Sequence, residues 1–132
     1  MDYESLLKES DALGLIVKEK PLKFNDGRIK GCKIAIRKDI PTSIEKACVL
    51  SEELGHYYCN ALYYLNSDDV QKKKCEYRAM KWAYSILVPL QKLKEKLKQG
   101  FNLYDLADYF NVDLKYMIDC IDFYVEKYGV LV

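Results

Sequence analysis

Residues Ser51-Glu52-Glu53-Leu54-Gly55-His56-Tyr57-Tyr58 read SEELGHYY. Their second half, Glu53-Leu54-Gly55-His56, fills the last four positions of His-Glu-x-x-His. That helical motif grips a zinc ion with two imidazoles and uses its glutamate as a base. Here Glu52 stands where the first histidine would be. On a helix, residues four apart share a face, so Glu52 and His56 aim at one point while Glu53, offset by roughly 100°, flanks it. A zinc centre of the catalytic type needs three protein ligands and an open position for water. Glu52 and His56 would supply two ligands, and Glu53 would hold and deprotonate the water. Taken alone, glutamates followed by a histidine describe a solvated helix face, so the reading turns on a third ligand.

His56 is the only histidine of the chain, which leaves a cysteine or a carboxylate for that place. Glu76 is the natural candidate. It opens Glu76-Tyr77-Arg78-Ala79-Met80-Lys81-Trp82-Ala83, where Ala79 and Ala83 offer a small-residue face for close helix packing. An antiparallel return would bring Glu76 back beside His56.

The rest of the chain must build that helix pair. At 132 residues it is read as one domain, 1–132, long enough to bury a core. Half of the residues are apolar and 31% are charged, which excludes a disordered chain. The 12 tyrosines suit places where one end of a side chain is buried and the other wet. Five cysteines, at 32, 48, 59, 75 and 120, include no CxxC pair and read as scattered, reduced thiols. No charged and apolar leader opens the chain, and no run reaches the ~18 apolar residues of a membrane span. The expected location is cytoplasmic.

Residues ~2–13 have helical spacing up to Gly14. Two β-like pieces follow, 15–18 and 20–24. Asn25-Asp26-Gly27 signals a turn, and Cys32, Ile34 and Ile36 alternate as in a half-buried strand. A small antiparallel sheet is therefore expected. Thr42 with Glu45 has the form of a capping box, opening a helix to about Asn60. Helices are expected at ~69–88, stopped by Val88-Pro89, and at 90–99. The tail reads as a helix-turn-helix-like pair. Asn102 caps Leu103–Phe110, and Met117, Ile118, Ile121, Val125 and Tyr128 form the stripe of the last helix. The fold class is α+β, a small N-terminal sheet beside a mainly helical body.

Three blocks now stand in order: Glu52-Glu53-Leu54-Gly55-His56; then Glu76, Ala79, Ala83, Leu87, Val88 and Pro89; then Leu106-Ala107-Asp108-Tyr109-Phe110-Asn111-Val112. In this order, from about residue 30 onward, the chain resembles the ImmA/IrrE family of metallopeptidases, a zincin-like domain common in phages and integrative elements. Glu-Glu-Leu-Gly-His in place of His-Glu-x-x-His resembles a phage-type branch. The resemblance implies metal ligands at Glu52, His56 and Glu76, with Glu53 as general base. It also implies a phage or mobile-element setting and a repressor-like protein as substrate or partner. The expected function is a metal-dependent endopeptidase; the alternative is a family member that binds a partner protein without catalysis. A second carboxylate cancels positive charge on zinc, so the metal acidifies its water less, and an oxygen-rich site leans from zinc toward manganese.

Charge is unevenly spread. Residues 70–100 carry nine Lys/Arg against two Glu, a net of +7, whereas 102–128 carry −4. A recognition helix lies on phosphates and needs cations, so no direct DNA binding is expected from the tail. The basic stretch, Lys72–Lys74 with Lys92, Lys94, Lys96 and Lys98, reads as a solvated helix surface or as a meeting place for an acidic partner.

Overall fold

A computed structural model describes residues 1–59 and 69–131, and their side chains except those of 69–72. The order of elements is α1 (Tyr3–Ala12), β1 (Ile16–Lys20), β2 (Gly27–Lys30), β3 (Lys33–Arg37), α2 (Ser43–Tyr58), α3 (Asp69–Leu87), α4 (Leu90–Lys98), α5 (Leu103–Phe110) and α6 (Leu114–Tyr128). The class is α+β, as expected. Asn60, the expected end of the motif helix, lies outside the described residues.

The sheet differs from the antiparallel one expected. Its order is β1-β3-β2, with β1 parallel to β3 and β2 antiparallel to it. The strand with clean apolar alternation takes the centre: Ile34 and Ile36 are buried, while β1 and β2 carry Lys, Glu and Arg at the edges. Residues 20–24 form no strand beyond the last residue of β1. Pro21 has no N–H to give a ladder, and Phe24 stands in solvent. Asn25-Asp26-Gly27 leads into β2 instead of closing a hairpin. The tight turn is Gly31-Cys32, closed by the Lys30–Lys33 pair, with Gly31 at a φ of 61°. That places glycine at the first loop position, as a type II′ turn demands.

Thr42 caps α2, its hydroxyl accepting the N–H of Glu45. The reciprocal box forms elsewhere, at α5, between Asn102 and Asp105. Val88-Pro89 separates α3 from α4, and Asn111, at φ 54° and ψ 49°, turns the chain from α5 into α6. One core runs through Leu6, Ile34, Leu50, Leu87, Leu93, Leu106 and Met117, so each layer contributes to the same apolar interior.

The buried stripe of α6 is not the expected one. Ile118, Val125 and Tyr128 are exposed, and Tyr116, Met117, Cys120 and Tyr124 face inward. Hydrogen-bond partners explain the rotation. Tyr116 shares a bond of 3.0 Å with the buried Ser51 hydroxyl, and Tyr124 donates to the Val88 carbonyl at 2.8 Å. With their hydroxyls satisfied, two large rings become better core residues than Ile118 and Val125.

Candidate metal centre

The site begins with the approach of two helix backbones. α2 and α3 run antiparallel, with Gly55 against Ala79 and Cys59 against Cys75. A Cβ placed on Gly55 would fall 3.0 Å from the Ala79 carbonyl carbon and nearer still to its oxygen, so only glycine permits this crossing. Ala79 and Ala83 are fully buried, as a small-residue face requires. Their packing sets the register of the two helices, and the register sets the site: His56 Nε2 lies 3.7 Å from Glu76 Oε2. His56 is largely buried and Glu76 half exposed, so the pair faces the surface from a packed floor.

Glu52 and Glu53 sit about one turn before His56 on α2. They line a cleft of about 410 Å³ that also receives Asp26, Gly27, Lys115 and Asp119. Burial pushes the Glu52 carboxyl up to about 7; Lys115 opposes that rise, while Asp119, Asp113 and Asp26 reinforce it. Burial likewise pushes Glu53 up to about 7, with the charges of Glu52 and Glu76 adding to it. Glu53 thus lies within electrostatic reach of both neighbouring carboxylates. Gly27 leaves room for its stem, because a Cβ there would come 2.9 Å from the Glu53 Cγ.

The motif did not reveal the groups around Glu52. Lys115 and Asp119 form an ion pair of 2.9 Å at the mouth of the cleft, and Tyr116 ties α6 to Ser51, the residue before Glu52. Their i,i+4 spacing was a legible signal for the ion pair, but nothing in the sequence placed it beside α2.

The ligand set can be tested on its donors. Two ligands ~2.1 Å from one tetrahedral ion stand roughly 3.4 Å apart. The 3.7 Å between His56 and Glu76 fits such an edge. Glu52 shares the His56 face by helical spacing, yet its carboxyl sits amid the charges of the cleft. Among the described residues, no group of three or more His, Cys, Asp or Glu gathers closely enough to hold an ion.

The model of the Peptidase_M78 family, an IrrE N-terminal-like domain, matches residues 17–117. The chain belongs to that family. The match takes in both motif helices and reaches through the first turn of α6, so it covers every group lining the cleft except Asp119, and both members of the His56–Glu76 pair. Membership in Peptidase_M78 supports a metallopeptidase reading of the chain. No curated protein and no solved structure matches the chain. Among the described residues, no helix is long and apolar enough to cross a membrane.

The cysteines depart from the reading as separate thiols. Cys59, at the C-terminal cap of α2, is joined to Cys75 of α3 in a disulfide, their Cα atoms 5.7 Å apart. The cause is the same antiparallel crossing, which brings two positions 16 residues apart in sequence face to face. Cys32 is exposed, and Cys48 and Cys120 are buried; burial pushes the Cys48 thiol up to about 12. Unreduced protein, once denatured, is therefore expected to titrate three thiols and to yield two more after reduction. In the folded protein only Cys32 should react quickly. Opening a loop of this length should cost roughly 3 kcal/mol, read as a lower denaturant midpoint with reductant present. Five thiols without reductant would remove the bridge.

Proposed function

We propose that the protein is a metal-dependent endopeptidase of a phage or mobile element, cutting a peptide bond in a repressor-like partner protein. The observation that carries the reading is the His56–Glu76 edge of 3.7 Å, spanning the two helices that bear the family's motifs. His56 and Glu76 would hold the ion, zinc in the first instance and manganese as the harder alternative, with Glu52 as third ligand. The bound ion supplies Lewis acidity toward a peptide carbonyl and lowers the pKa of a water.

The chain's own residues do the remaining work. Glu53, one residue from the ligand face and with room for its stem at Gly27, would take the proton of the attacking water and return it to the departing amine. The cleft beside it, bounded by Gly27 at the start of the edge strand β2, gives a substrate segment a place next to that carboxyl.

One observation favours a second reading, a partner-binding protein without turnover. Glu52 lines the cleft that also receives Lys115 and Asp119, and the lining of that cleft includes neither His56 nor Glu76.

Elemental analysis separates the two. Native protein loaded with zinc or manganese and dialysed should retain about one ion per chain. Glu76→Ala should retain almost none, because His56 would lose its cross-helix partner. Equal retention in both proteins, or no metal in either, overturns the assignment.

A further inference from the structure

A second site lies on the adjoining face of α3. Lys73, Lys74, Tyr77, Arg78 and Lys81 line a groove of about 450 Å³. Spacings of four and eight residues put Lys73, Tyr77 and Lys81 in one row, and Lys74 and Arg78 in a parallel one. α6 adds a sixth member from the acidic tail: the Lys127 ammonium stands 5.3 Å from the Tyr77 ring centre and faces Lys81 at hydrogen-bonding range. The Tyr77 ring leans on Phe123 at 5.0 Å, which anchors it as a floor between the two cationic rows.

An ammonium has three donors and no acceptor, so Lys81 and Lys127 cannot satisfy one another. Their repulsion holds Lys81 below the ordinary lysine range. Among the described residues, none of the five cations has a carboxylate partner, although exposed lysines elsewhere do, as at Lys92–Glu95 and Lys115–Asp119. Five cations around an exposed ring, two of them in contact, form an arrangement that an anion completes.

We propose that this α3–α6 groove binds an acidic protein segment, an extended stretch whose carboxylates meet Lys73, Lys74, Arg78, Lys81 and Lys127 while an apolar or aromatic side chain rests on Tyr77. The size agrees. Lys73 to Lys81 spans about 12 Å of helix, matching about four residues of extended chain. Nucleic acid fits less well. Its affinity grows with the number of phosphates neutralised across a broad face, and this chain has a net charge of only +1. The proposal does not depend on metal binding or on turnover.

Fluorescence anisotropy with a short fluorescein-labelled peptide of alternating glutamate and tyrosine tests it on the full chain at low and at physiological salt. Saturable binding that weakens with salt is expected. Combined Lys81→Glu and Lys127→Glu should weaken it about tenfold or more, Lys127→Glu alone by a smaller factor, and Tyr77→Ala about threefold. Combined Lys92→Glu and Lys94→Glu on α4 makes the same change in net charge and should alter affinity by less than about twofold. All the substituted side chains are surface groups, and matching circular dichroism melts establish that the variants are folded. No saturable binding, equal weakening in the α4 control, or tighter binding of a DNA duplex than of the peptide overturns the proposal.

Discussion

Gly55→Ala is expected to lower stability by about 2 kcal/mol and to abolish metal retention. Two effects oppose each other at this position. Alanine favours a helix over glycine by ~1 kcal/mol. Against that, the new methyl meets the Ala79 carbonyl group, and overpacking of a close crossing costs ~3 kcal/mol. The clash wins. The atoms concerned belong to the Ala79 backbone, so trimming Ala79 to glycine should not restore stability. Relief must come from spreading α2 and α3 apart, which would also lengthen the 3.7 Å His56–Glu76 edge. Thermal unfolding should show a midpoint lower by roughly 6–10 °C. A variant as stable as the native protein that still holds its metal would show that the helices are not locked at Gly55.

Glu52→His is expected to raise zinc affinity by about tenfold or more, equivalent to ~1.4 kcal/mol. The substitution removes a carboxylate whose charged form is disfavoured by burial and supplies a neutral nitrogen donor. The bound metal then keeps one more unit of positive charge, so its water should ionise at lower pH. Lys115 would lose a nearby carboxylate but keep Asp119 at 2.9 Å, so no cation is stranded. Cleavage of a repressor-like substrate should rise with zinc affinity. It should vanish in Glu53→Gln, which removes the base and leaves the ligands in place. Competition against a chelating dye gives the affinity directly. An unchanged value would mean that position 52 does not face the metal, and the partner-binding reading would then stand alone.

The two proposed sites bear on each other through α3. Glu76 points to the His56 side, and Tyr77, the next residue, forms the floor of the cationic groove. A partner segment seated on Tyr77 would thus lie about one helix diameter from the 52–56 motif. That arrangement would let one helix both hold a partner protein and contribute to the centre acting on it.

Local signals were strong enough to mark most of the helices from sequence. Asn102 before Leu103, Gly14 after the first apolar run, and Val88-Pro89 between α3 and α4 act within a turn or two of chain, through capping bonds and a missing N–H. Helical spacing likewise puts Glu52 and His56 on one face of α2, because 3.6 residues per turn is a property of the backbone. What only the tertiary structure decided involves residues far apart in the chain. β3 takes the centre of a mixed sheet because Ile34 and Ile36 need cover on both sides, which no single strand can announce. Tyr116 and Tyr124 displace Ile118 and Val125 from the core because Ser51 and Val88 supply acceptors 65 and 36 residues away. Cys59 meets Cys75 for the same reason: a helix crossing fixes which side chains meet, and this crossing follows from packing the small residues Gly55 and Ala79 against each other.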